Sequence, residues 1–96
     1  MNPPDVLTRY RRAERLAWRN IAGEVIVIHP DRGLMFPLNP AASRIWELLD
    51  GSRGSKDIAG ALETEFAVNA VQARRDADAF ITELVREGLV VAAIDP

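Results

Sequence analysis

The sequence predicts an α+β fold, a winged helix-turn-helix in which an N-terminal three-stranded antiparallel sheet precedes three helices. Three observations carry the assignment. Alternating and β-branched apolar runs, broken by turn residues, are confined to residues 15–38. Asn39-Pro40 then marks an abrupt change to helical spacing. Beyond it lie three apolar stripes, the last the longest, and a short extended segment closes the chain. The order is β-β-β-α-α-α with that C-terminal segment after it.

Residues 1–12 are polar and proline-containing and read as a flexible N-terminal arm. Residues 13–96 read as one domain, the size a single core can serve. Residues 15–21 alternate, with Leu16 and Trp18 in phase, and Ala22-Gly23 supplies a turn. Val25-Ile26-Val27-Ile28 is too short for a helix, and so continuous a run suits a strand covered on both faces. His29-Pro30-Asp31-Arg32-Gly33 turns the chain, with Gly33 free to take a positive φ, and residues 34–38 make the third strand. Asn39 caps the first helix, with Pro40 in its first turn. Ile45, Trp46, Leu48 and Leu49 form its stripe, and Gly51 ends it. Ser55 caps the second helix, Asp57 sits in its first turn, and Ile58, Ala59 and Leu62 face inward. Asn69 and Gln72 have the spacing of a capping box for the third helix, residues 70–87, which stops at Gly88.

Composition removes several function classes. Hydrophobic residues are 48% and charged residues 27%, an ordinary globular balance. The absence of Cys excludes a disulfide scaffold, a zinc finger, an iron–sulfur cluster and a thiol nucleophile. The single His29 excludes a multi-histidine metal site and reads as a surface-turn residue. Twelve basic against fourteen acidic residues give a net charge of −2, with no global pull toward nucleic acid or anionic lipid. No apolar run reaches the ~20 residues of a membrane span. The N-terminus lacks the apolar stretch of a secretory signal, so a cytoplasmic location is expected. Gly51-Ser52-Arg53-Gly54-Ser55-Lys56 lacks the strand–loop–helix order of a phosphate loop and reads as an interhelical turn. With no nucleophile–base pair and no ligand set, the chain is expected to have no catalytic residue, metal or cofactor, and not to be an enzyme.

The third helix carries Arg74, Arg75 and Arg86 against Asp76, Asp78, Glu83 and Glu87, a net of −1. A recognition helix of that balance is repelled by phosphate, so no nucleic-acid partner is expected. At 100° per residue from Phe80, Ala73, Leu84 and Ala77 fall near ~20–60°, Ile81 near ~100°, Arg74 near ~120°, Val85 near ~140° and Asp78 near ~160°. Two readings of this broad stripe stand open: Ile81 and Val85 pack into the core, or they line a partly open apolar groove rimmed by Arg74 and Asp78 and suited to a peptide. The third strand supplies a second wall. Pro37 has no N–H and is confined to an edge strand or a bulge. By strand parity, Leu34, Phe36 and Leu38 pair inward while Met35 and Pro37 address an open edge, a template for strand addition.

These residues have a familiar order. Arg15-Leu16-Ala17-Trp18, Val25-Ile26-Val27-Ile28, Phe36-Pro37-Leu38-Asn39-Pro40-Ala41-Ala42 and Ile45-Trp46-Glu47-Leu48-Leu49-Asp50-Gly51 resemble the PqqD family. So do Asp57-Ile58, Glu65-Phe66, Asp76-Ala77-Asp78-Ala79-Phe80-Ile81 and Gly88-Leu89-Val90, so that the likeness runs over residues 13–92. The resemblance implies a recognition element for ribosomally made, modified peptides (a RiPP recognition element). Such a domain is a non-catalytic chaperone that binds a precursor-peptide leader and presents it to a modifying enzyme of the radical SAM type, as in pyrroloquinoline quinone biosynthesis. It implies a site at Leu34, Met35, Phe36, Pro37 and Leu38 on the strand and Arg74, Asp78, Ile81 and Val85 on the helix. Pro37 departs from a fully paired receiving strand, since it can only accept. The implied partners are a leader peptide and a modifying enzyme, without nucleic acid or membrane, in a monomer or weak homodimer. The rival readings are a winged-helix transcription factor and a small dimerisation domain paired through its edge strand.

Overall fold

The computed structural model describes residues 8–93. Their elements are β1 (Arg9–Arg12), β2 (Ala17–Ile21), β3 (Glu24–His29), β4 (Leu34–Pro37), α1 (Pro40–Leu48), β5 (Asp50–Gly54), α2 (Ser55–Phe66), α3 (Ala70–Arg86) and β6 (Val90–Ala92). The expected antiparallel meander is β2-β3-β4, and the expected three helices follow it.

A second sheet, ordered β5-β1-β6, goes beyond the sequence expectation. It corrects two readings. Arg9–Arg12 is a strand rather than part of a loose arm, although residues 1–7 lie outside the described residues. Asp50–Gly54, expected as an interhelical turn, pairs with β1. The cause lies in non-local pairing. Tyr10 is buried in the core, and the Arg12 amide donates to Leu49 O at 3.0 Å. The Arg12 guanidinium donates to the carbonyls of Trp46 (2.9 Å) and Glu47 (3.0 Å). It thus joins the Leu49 amide on the Trp46 carbonyl and satisfies that of Glu47 at the end of α1, where the helix dipole favours a cation. The same guanidinium lies 5.1 Å over the Trp18 ring, and Trp18 meets the fully buried Trp46 edge-on at 6.2 Å.

In the meander, Val25 and Val27 are fully buried, while Ile26 is half-buried and Ile28 is 38% exposed. The strand is therefore covered on one face, not two, because α1 packs against one side of the sheet only. Ser43 joins helix to sheet. Its buried hydroxyl accepts the Val25 N–H at 2.7 Å and donates to Leu38 O at 3.2 Å, completing the last rung of the β3–β4 ladder through a side chain.

The helix starts follow capping chemistry. Asn39 Oδ1 accepts the Ala42 N–H and Asn69 Oδ1 the Gln72 N–H, both at 2.8 Å. Gln72 does not close a capping box, since its amide turns to Asp76 at 2.7 Å. The cap of α2 is Gly54, one residue before the expected Ser55, and the Asp57 carboxylate accepts the Gly54 N–H. α1 ends at Leu48 with Leu49 as its cap, so Gly51 lies inside β5 at φ +92° rather than ending the helix. Ala73 and Ala77 are fully buried on α3, small enough to let α2 approach closely.

Candidate functional site: the open edge of β4

The sheet order places β4 at an edge, as Pro37 requires. The Leu38 amide donates to Val25 O at 2.8 Å. By alternation the amides of Leu34 and Phe36 also point to β3, and Met35 and Pro37 address the open edge. Met35, 63% exposed, can therefore offer both N–H and C=O to an incoming strand, and Pro37 only its C=O. Leu34 is exposed, Phe36 half-buried against the core, and Leu38 a core residue just past the strand.

Two contacts fix what faces this edge. At one end the Arg32 guanidinium donates to Glu87 O at 2.8 Å and pairs with the Glu87 carboxylate at 3.4 Å. At the other end Asn39, Ala42 and Ile45 share a cleft of about 340 Å³ with Leu62, Asp76 and Phe80. The residues before and after β4 thus both meet the flank of α3 that carries Asp76, Phe80 and Glu87. Glu83 falls on the same flank by helical geometry. This wall is acidic around a half-buried aromatic ring.

The contacts at the two ends of β4 involve Asp76, Phe80 and Glu87 and none of Arg74, Asp78, Ile81 and Val85. Ile81 is fully buried, so the core reading holds for it. Arg74 and Asp78 pair with each other, Nε to both carboxylate oxygens at 3.1 Å, on the opposite flank. Val85 packs half-buried against the core. A helical wheel gives the width of an apolar stripe but not which shoulder meets a strand. Arg32 and Glu87 decide that, and the sequence pattern singles out neither as a site residue. The recurrence of Asp76, Phe80, Glu83 and Glu87 at steps of four, three and four is the available signal.

Asp50, on β5, has its pKa lowered from 3.8 to about 2. The Ser52 hydroxyl and amide donate to it first, and Arg53 adds its charge. Among the described residues no three His, Asp or Glu converge as metal ligands, and no helix is long and apolar enough to cross a membrane.

A family profile described as Coenzyme PQQ synthesis protein D (PqqD) matches residues 24–90, more than half of the chain. The chain belongs to the PqqD family. The match begins at β3 and ends at β6, so it includes the β4 edge and the α3 flank but not β1 or β2. Among solved structures, TbiB1 in complex with the TbiA(beta) leader peptide is 27% identical, with a TM-score of 0.78 over 88% of this chain and 99% of that one. Lasso peptide synthetase B1 complexed with the leader peptide is 23% identical, with a TM-score of 0.77 over 86% and 98%, a likeness of fold. No curated protein matches the chain.

Proposed function

We propose that this PqqD-family chain is a cytoplasmic, non-catalytic peptide chaperone. It takes the leader of a ribosomally synthesised precursor peptide as an added strand on β4 and presents it to a modifying enzyme of the radical SAM type. The observation that carries the reading is the open β4 edge, held along one flank of α3 by Arg32–Glu87 at one end and the Asn39–Phe80 cleft at the other. An edge strand beside a partly apolar wall is the geometry of β-augmentation, in which main-chain bonds hold the peptide and pockets select alternate side chains. TbiB1, which shares this fold, was solved with a leader peptide, and that supports the reading. The proposed site is Leu34 to Pro37 with Phe80 and Asp76; Leu38 and Ile81 support it from the core.

Calorimetric titration tests the proposal. The ligand is a synthetic leader of a candidate ribosomal precursor peptide from the same genome, with a scrambled peptide as control. Saturable one-to-one binding of the leader, absent for the scrambled sequence, is expected. Equal binding of both, or of neither, refutes it.

A further inference from the structure

The cleft at the Pro37 end of β4 carries a charge that the described residues leave unmet. Its walls are apolar, with Ala42 and Ile45 from α1, Leu62 and Phe66 from α2 and Phe80 from α3, except for Asn39 and Asp76. Phe66 is exposed and Phe80 half-buried, so aromatic surface faces the opening. Along α3 and its cap, Asp78 holds Arg74, Glu83 holds Arg86 and Glu87 holds Arg32. Asp76 has no ion-pair partner among the described residues and accepts only the neutral Gln72 amide, at 2.7 Å. The positive end of α1 borders the same cleft but is already used. Asn39 Oδ1 accepts the Ala42 amide, the Asn39 carbonyl accepts that of Ser43, and Pro40 has none. An added strand is also held least at this end, because Pro37 offers no N–H and the Leu38 amide turns back to Val25 O. A peptide passing this point is held by a side chain rather than by its backbone.

We propose that the cleft selects a lysine or arginine of the leader, with its aliphatic stem against Phe66 and Phe80 and its charged head at Asp76. The inference rests on the strand-addition reading and deepens it, by naming what the leader carries where it passes Pro37. A volume of about 340 Å³ lies at the small end of the ~300–1,000 Å³ range of ligand pockets, room for one long side chain and not for a helix. Basic side chains bury an apolar stem while keeping the charge in water, and Asp76 is exposed at the rim where such a charge ends. The two aromatic rings attract either cation. A leucine or phenylalanine would fill the same walls but strip water from an uncompensated carboxylate, and an acidic side chain would add repulsion.

The test uses the synthetic leader of the titration above and a set of its variants, each with a single lysine or arginine changed to glutamate. They are titrated into the full chain and into Asp76→Asn, Asp76→Lys and Glu14→Lys. Glu14 is exposed in the turn between β1 and β2 and lines no part of the cleft, so it controls for net charge. Asp76→Asn should weaken binding of the unaltered leader about two- to fivefold, the scale of an exposed pair. Asp76→Lys should weaken it about tenfold or more by setting like charges together, and Glu14→Lys should stay within about twofold of wild type. One glutamate peptide should bind the wild type about tenfold or more weakly and recover on Asp76→Lys, where the swapped pair forms again. Asp76→Lys that binds like the wild type or loses no more than Glu14→Lys, a set in which no glutamate peptide recovers, or a leader that binds without any lysine or arginine would each overturn the proposal. If the leader still protects the Met35 amide from exchange in those cases, strand addition at β4 survives. A leader that leaves Met35 unprotected, or does not bind at all, overturns both.

Discussion

Replacing Met35 by proline separates binding from folding. The Met35 N–H faces the open edge, so losing it removes no bond to β3. The side chain is 63% exposed, and the preceding Leu34 is already in a strand, the conformation a following proline demands. The stability of Met35→Pro should therefore stay within about 1 kcal/mol of wild type. Leader affinity should fall. One main-chain bond, about 0.5–1.5 kcal/mol, is a loss of roughly two- to twelvefold, and the ring set against the incoming strand adds to it. Phe36→Pro is the mirror experiment. Its amide serves the β3 ladder, so the substitution removes a ladder bond, leaves the Val27 carbonyl unpaired and should cost about 1–3 kcal/mol of stability. Urea titration and calorimetry read both quantities. The parity argument is refuted if Met35→Pro destabilises the domain as Phe36→Pro does, and strand addition is refuted if Met35→Pro binds leader like the wild type.

Three further outcomes are expected. Pro37→Ala gives the edge a second donor and should tighten leader binding by up to about one hydrogen bond, ~0.5–1.5 kcal/mol, less the added freedom of the unbound strand; weaker binding would place position 37 outside the ladder. Ile81→Ala should destabilise the domain by about 2–5 kcal/mol in urea titration and leave leader affinity unchanged while the chain is folded; intact stability with lost affinity would return Ile81 to the groove. The Asp50 pKa of about 2 lies below its unbonded 3.8, so its stabilisation is present above about pH 4 and disappears as pH falls through 2. Asp50→Asn should flatten the stability–pH curve between those values, an effect kept small by the exposure of the pair; parallel curves for variant and wild type would exclude it.

Elements whose own residues dictate their state were legible in the sequence. Asn39-Pro40 and Asn69 start helices through local side-chain bonds, and β3 announces itself by its β-branched run. β1 and β5 were not, since Arg9–Arg12 and Asp50–Gly54 carry one buried apolar side chain, Tyr10, between them. Their strand state comes from partners some 40 and 80 residues away in the chain, which no local window contains. The β4 edge was readable because proline forbids an interior strand. The facing wall was only half readable. The stripe on α3 fixed Ala73, Ala77 and Leu84 as core, but the side turned toward β4 depends on the Arg32–Glu87 contact across 55 residues.

Backbone amide exchange at Met35, with and without the leader peptide, tests strand addition at β4 most directly. In the free chain this amide has no partner in the β3 ladder and should exchange rapidly, whereas Phe36 is protected. On saturation with leader, Met35 should become protected and show cross-strand contacts to peptide protons, with side-chain shifts at Phe80 and Asp76. Unchanged exchange at Met35, with the shifts gathered instead at Arg74, Asp78 and Val85, would contradict the account.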